Sequence, residues 1–384
     1  MRLHPLEGEI EFRAEVRQFL ASAPSEMEIG KPFGHVHSRA TRELWTKALA
    51  ERGWLVPHWP AEWGGQSWPS TLHYILAQEL CSHRCPEIEK IGTELVGPIL
   101  LSFGCEEQRR RFLPPILSGE EFWCQGFSEA GAGSDLSQIR TTARKQGDSY
   151  RVNGHKLWTT QAHEADLMLA LVRVANGDSL QQGHTFLMIP MKTPGVQVRP
   201  IITLDGGHSI NEVMLDDVRV PIDSRVGEEG HGWTYARAVL SAERMGAAGI
   251  PHTQRDLLFL QDLARQVRRR GRLLANDPHF RQRLAQLNSE VLALEFLLLR
   301  ILQAPPSAER DALGCVLKLR GAEAYQRVSE LMLDAVGARA MVRQLEDSVD
   351  DSVTAAYLFR RSATIAGGTS EIQRNIIAAL GLQL

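Results

Sequence analysis

Gly126-Phe127-Ser128-Glu129-Ala130-Gly131-Ala132-Gly133-Ser134-Asp135 is the stretch around which the rest of the chain is organised. Small residues from Ala130 to Ser134 let a ligand approach the main chain, and free backbone N–H groups suit an anionic or carbonyl-rich partner. The run is neither G-x-G-x-x-G nor a Walker loop, so the usual phosphate motifs do not account for it. By composition alone it also reads as an ordinary surface loop.

Three textures surround it. Before it, from about residue 7 to 120, apolar residues recur at helical spacing, as at Ile10, Val16, Phe19 and Leu20 and again at Ile91, Leu95, Ile99 and Leu100. Gly53-Trp54-Leu55-Val56-Pro57 through Trp63-Gly64-Gly65 interrupts this as an ordered loop whose tryptophans pack. After it, strands follow. Val152-Asn153-Gly154-His155 reads as a hairpin turn, because Asn-Gly readily takes positive φ. Leu167 to Val174 and Thr185 to Met191 are apolar runs, and Pro200 marks Val196 to Ile202 as an edge. From about 230 the helices return and are long. Asn288 to Gln303 is strongly apolar, Ala304-Pro305-Pro306-Ser307 breaks it, and a further helix is expected from near Asp311. Long helices with short links suggest an antiparallel bundle.

The bulk numbers exclude several classes. Of 384 residues, 43% are hydrophobic and 23% charged, and the net charge is −3, which predicts neither a nucleic-acid nor a membrane partner. Cys81, Cys85, Cys105, Cys124 and Cys315 form no CxxC pair and no metal-like spacing, so no metal is expected. Met1 to Phe12 has no signal-peptide apolar core, and reduced thiols fit a cytoplasmic protein. Arg268-Arg269-Arg270 reads as a solvated helix face, with a phosphate role as the alternative.

Taken in order, several blocks resemble the acyl-CoA dehydrogenase family. Residues 126–135 are similar to its signature loop, and Pro60-Ala61-Glu62-Trp63-Gly64-Gly65 to an earlier block. Asn153-Gly154-x-Lys156-x-Trp158-Thr159-Thr160 with Ala165-Asp166, and Asn211-Glu212-Val213 with Asp216 to Pro221, resemble the next two. Gly230-x-Gly232-Trp233, Leu240-x-x-Glu243-Arg244 and Ile365 to Asn375 complete the series. The resemblance implies an α+β multidomain fold: an N-terminal helical domain over 1–120, a middle β-barrel-like domain over 121–229 and a C-terminal antiparallel four-helix bundle over 230–384. It implies FAD, contacted by Phe127, Ser128, Gly133, Ser134, Trp158, Thr159, Thr160, Gly368, Thr369 and Glu371, with Ser134 and Arg244 at the substrate. Without that series, Trp158 reads as packing, Thr159 and Thr160 as strand surface, and Gly367-Gly368 as a turn before a helix capped by Thr369 or Ser370.

The implied reaction is α,β-dehydrogenation of an acyl-CoA or acyl-carrier thioester. Its base is commonly a glutamate just before the Gly-Thr of the last block, where this chain has Gly367 after Ala366. A second branch, isovaleryl- and long-chain-like, puts the glutamate on the helix after the β domain, which matches Glu243. Gly367 would then serve catalysis through its backbone N–H, sharing the thioester carbonyl with a flavin ribityl hydroxyl. Asp334 to Ala340 keeps one glycine of the family's pyrophosphate segment, and Arg268 to Gly271 replaces another segment indistinctly. The expected partners are an electron-transfer flavoprotein and further copies of the chain, as a dimer or tetramer, with a heteromer possible. Two alternatives remain open: a non-catalytic partner subunit, and a flavin oxidase or monooxygenase.

Overall fold

Cap chemistry in the last third of the chain sets the longest helices. The structure, a computed structural model, describes residues 7–31, 37–174, 183–237, 246, 248–341 and 349–382. Asp277 accepts from Phe280 N and Pro278 occupies the first turn of α8, Pro278–Gln303. Pro305 and Pro306 then prevent continuation. Ser307 accepts from Arg310 N and opens α9, Ala308–Val336, slightly earlier than the expected start near Asp311. Gly337, at φ +71°, ends it. Leu287, Val291, Leu294, Leu298 and Ile301 form the buried stripe of α8, and Leu317, Ala324, Val328, Leu331 and Ala335 that of α9. Both enter one core with residues of α7, Ile250–Gln266.

By internal contacts the chain divides into two compact units. One comprises Met1–His37, Trp68–Pro86 and Ala242–Leu384, the other Ser38–Ser67 and Glu87–Ser241. The first unit includes α1, Glu7–Ala21, and α3, Ser70–Ser82, whose Arg13 and Arg17 both pair with the buried Glu79. Later it includes α10, Val349–Phe359, and α11, Ser370–Ile376. Arg268-Arg269-Arg270 is not a helix face there. Arg268–Arg269 pairs with Arg272–Leu273 in a short hairpin, and Arg269 and Arg283 both pair with Asp334. Gly271, at φ +79°, supplies the turn that a helix could not make.

The second unit holds α2, Arg39–Glu51; α4, Gly97–Phe103; α5, Glu106–Ser118; α6, 232–237 among the described residues; and an eight-stranded sheet. The strands are β1, Trp123–Gly126; β2, Thr142–Gln146; β3, Ser149–Thr160; β4, Leu167–Val174; β5, His184–Pro190; β6, Val196–Ile201; β7, Ile210–Pro221; and β8, Arg225–Val226. They pair in the order β6-β7-β3-β2-β4-β5-β8, with β1 parallel to β4. Among the described residues no pairing joins β6 to β8, so the barrel-like sheet is not closed by hydrogen bonds there. β6 carries Pro200 and is the expected edge, since proline cannot donate to a further strand. Trp54 and Trp59 are buried packing residues of the 53–65 loop, as expected.

The Asn153-Gly154 hairpin is the clearest correction. These residues sit inside β3, and the β2–β3 turn is made at Gly147-Asp148 with Gly147 at φ +62°. Asn153-Gly154 marks a register shift against β7, and the Asn153 side chain accepts from Asp217 N. Glycine is required because a Cβ at 154 would lie 2.2 Å from Thr141 Oγ1. Among the described residues, no helix is long and apolar enough to cross a membrane.

Candidate active site

The loop over 126–135 begins where β1 ends. Phe127 turns its ring into the sheet core, stacked on Phe186 with centroids 5.3 Å apart, so only its main chain is available to a ligand. Ser128 O accepts from Leu157 N at 2.9 Å. Glu129 and Ala132 exchange backbone bonds and close a tight turn. Gly131, Gly133, Ser134 and Asp135 are exposed, and a Cβ at Gly131 or Gly133 would meet nothing within 4 Å.

A buried ion pair fixes this loop from beneath. Lys156 on β3 is 0% exposed, and its Nζ donates to Glu129 Oε1 at 2.8 Å, Leu171 O at 2.6 Å and Phe127 O at 3.1 Å. Glu129 also accepts from Arg140 N at 2.6 Å and Thr141 N at 3.0 Å. Burial pulls the Lys156 ammonium down to about 8, against the opposing pull of Glu129. Burial alone would raise the Glu129 carboxyl, but the Lys156 charge and hydrogen bonds outweigh it and hold it below its ordinary value. Every strong site in the pair has a partner, which a buried charge requires.

Two residues beyond Lys156 the strand changes character. Trp158 takes φ +59° and is 58% exposed, at a register shift between Lys156 and Thr159. A non-glycine residue in that conformation costs about 1–3 kcal/mol and is characteristic of ligand sites. Thr159 points inward, fully buried, and its Oγ1 has no hydrogen-bond partner among the described residues. Thr160, two residues after Trp158, is exposed. A flat apolar platform, an exposed hydroxyl and a loop of small residues tied to the same strand fit a flat ring with polar edges, as FAD has.

In the other unit, Gly367 and Gly368 adopt φ +63° and +89°. A Cβ at Gly368 would lie 2.6 Å from Gln373 Nε2. Thr369 caps α11 by accepting from Ile372 N, so of the two expected caps it is the threonine that acts. Glu371 is exposed in the first turn, its carboxyl lowered by the backbone N–H at the helix start and the Thr369 hydroxyl. Glu243 and Arg244 lie outside the described residues. The structure thus gathers Phe127, Ser128, Gly133, Ser134 and Trp158 to Thr160 in one unit, and Gly367, Gly368, Thr369 and Glu371 in the other.

The sequence assigns no role to four residues that the structure shows holding these segments: Glu129, Lys156 and Gln373, which stand inside the quoted blocks, and Lys318, which stands outside them. A signal exists for two. Lys156 shares the inward parity of Tyr150 and Val152, and Lys318 falls on the stripe Gly314, Cys315, Gly321 and Ala322.

Three family models match in series: acyl-CoA dehydrogenase, N-terminal domain, over residues 7–120; middle domain over 124–218; C-terminal domain over 230–382. The chain is 36% identical over 381 residues to the acyl-CoA dehydrogenase IpdE1 of Mycobacterium tuberculosis, covering 97% of each chain. Among solved structures it is similar to the Tcur3481-Tcur3483 steroid ACAD, with TM-score 0.87, 27% identity and coverage of 100% of this chain and 99% of that one. It is also similar to the ChsE4-ChsE5 complex from Mycobacterium tuberculosis, with TM-score 0.86, 28% identity, and the same coverage.

Proposed function

The chain belongs to the acyl-CoA dehydrogenase family, whose members are FAD-dependent oxidoreductases, and from that premise we propose that it desaturates an acyl thioester between its α and β carbons with Glu243 as base. The observation that carries this reading is the pair Ala366-Gly367 where a glutamate commonly stands, together with a glutamate at 243. A glycine has no group to take a proton, so the base must come from elsewhere. The Glu243 carboxylate takes the α-proton, and the C–H electron pair becomes the new α,β double bond. Gly367 N–H donates to the thioester carbonyl, where negative charge develops as the proton leaves. Bound FAD supplies the acceptor for the β-hydride, and residues 128–134, Trp158 and Thr160 are those that would hold it.

Small side chains at 366 and 367 leave volume beside the reacting carbons, which favours branched or ring-bearing acyl groups over linear ones. The similarity to a protein described as a steroid ACAD supports the same direction. Glu243→Gln keeps the shape and removes the base. It is expected to retain FAD and to lose flavin bleaching when an acyl-CoA panel is added anaerobically; full activity in that variant would overturn the assignment. Faster bleaching by linear than by branched or cyclic esters of equal carbon number would overturn the pocket argument alone.

A second reading is favoured by Asp334 to Ala340, which keeps only Gly337 of the glycines expected there. The chain would then complete its FAD site with a different subunit, a reading supported by the two-component names of its structural relatives. FAD uptake by the isolated chain at full stoichiometry would remove it. Electrons are proposed to pass to an electron-transfer flavoprotein, and slow recovery of the bleached band in air would separate this from oxidase chemistry.

A further inference from the structure

Gly367 and Gly368 form the most permissive kind of turn, since neither has a Cβ to limit its backbone. Something else must hold it if an N–H is to be aimed. Lys318, on α9 and 1% exposed, donates from Nζ to Gly368 O at 2.6 Å and Ala363 O at 3.3 Å. Gln373, fully buried on α11, donates from Nε2 to Gly367 O and Gly368 O, both at 3.2 Å. Gln326, also on α9, donates to Arg360 O at 3.0 Å and to Thr364 Oγ1 at 3.2 Å. These holds take carbonyl oxygens from inside the helical bundle. Lys318 ties the carbonyls of Ala363 and Gly368, which lie on either side of the Ala366–Gly367 peptide, so the plane that carries Gly367 N–H is bracketed in the chain at both ends.

We infer that Lys318 is a positioning residue for the reaction: by tying Ala363 O and Gly368 O it fixes the segment between them and so holds Gly367 N–H in place for the thioester. This rests on the assignment of Gly367 as donor made above. Lys318 acts at one remove and touches neither substrate nor cofactor. Its charge makes the bond to Gly368 O stronger than a neutral donor would. Gln373 holds the same oxygen from a second direction, which is why the turn keeps its shape and the lysine sets its final aim.

The test uses the FAD-loaded protein and whichever of isobutyryl-, isovaleryl- and cyclohexanecarbonyl-CoA bleaches the unmodified flavin fastest. Lys318→Met is expected to keep FAD content, and KM within about threefold, while kcat per bound flavin falls by on the order of 10- to 100-fold. Lys318→Arg, which keeps a cationic donor, is expected to recover much of that loss. Hydrogen exchange without substrate gives a separate readout: the amides of Ile365 and Ala366, which donate to Ser362 O, and of Gln373, which donates to Thr369 O, should exchange faster in Lys318→Met by about tenfold or more, with the sheet unchanged. A variant that loses thermal stability or FAD while kcat per bound flavin is unchanged shows a merely structural lysine and overturns the inference, as does unaltered exchange at these three amides. If Lys318→Met does not fold, Lys318→Arg and Gln373→Met carry the same measurements, and the same outcomes support or overturn the inference. Failure of the proposed reaction is recognised separately, by the absence of flavin bleaching with every ester in the unmodified protein, whereas the exchange result needs no substrate.

Discussion

Two buried lysines hold the two glycine-rich segments of this protein, and they hold them differently. Lys156 joins three parts of one sheet, the 126–135 loop, β3 and β4, and does so with a carboxylate among its partners. Lys318 reaches two carbonyls of one local turn. The first is part of what makes the sheet unit fold, because its partners are distant in sequence and its charge is compensated in the interior. The second holds a local turn together with Gln373, beside the Thr369 cap of α11. Segments alike in composition thus rest on different supports, one global and one local.

The sharpest way to break this contrast is Lys156→Met. It leaves Glu129 buried without its cation, and removing one partner of a buried pair costs about 3–5 kcal/mol. Denaturant unfolding should show that loss, and adding Glu129→Gln should restore part of it by removing the stranded charge. A loss below about 1 kcal/mol would place Lys156 and Lys318 in the same class.

Glu89 sharpens the comparison inside the same unit. It is buried and accepts from Ile91 N at 2.6 Å and Gly92 N at 2.7 Å, but burial pushes its carboxyl up to about 7. Glu129 has similar backbone donors and goes the other way because Lys156 sits beside it. The signs follow from proton counting. Between the ordinary value of 4.5 and about 7, the folded protein binds more protons at Glu89 than the unfolded chain does, so stability falls as pH rises through that window. The full span is roughly 3 kcal/mol. Glu129 behaves oppositely: its stabilisation is present above the ordinary carboxylate value and is lost as pH falls through its depressed one. Unfolding free energies measured from pH 4 to 8 should lose the Glu89 slope in Glu89→Gln and keep it in Lys318→Met.

The smallest expected effect is at Thr369→Ala. Loss of the cap on α11 should cost about 1 kcal/mol, measured by thermal unfolding, and leave the pH dependence untouched. A larger cost would mean that the cap, and not Lys318 with Gln373, is the main hold on the glycine turn.

Much of the architecture is legible in the sequence by itself. The apolar run Leu167 to Val174 has the bounds of β4, Pro200 marks the edge strand, and apolar spacing and breakers foretell the long helices of the last third. These features depend on neighbours within a few residues, through hydrophobic period, missing donors and caps. The motif order points to the family, and the three family models match along the same order. Only tertiary structure decides the rest. Asn153-Gly154 has the local preference of a turn, yet it lies in mid-strand, paired with β2 and β7, and its glycine leaves the space that Thr141 occupies. Arg268 to Arg270 has the composition of a helix face, yet it is a hairpin held by Asp334 from the end of α9. Lys156 and Lys318 fall on inward positions of their elements, but only their burial against acceptors distant in sequence shows what each one holds. Local chemistry sets the elements. Desolvation and the partners it demands act across the chain, and no window of sequence contains them.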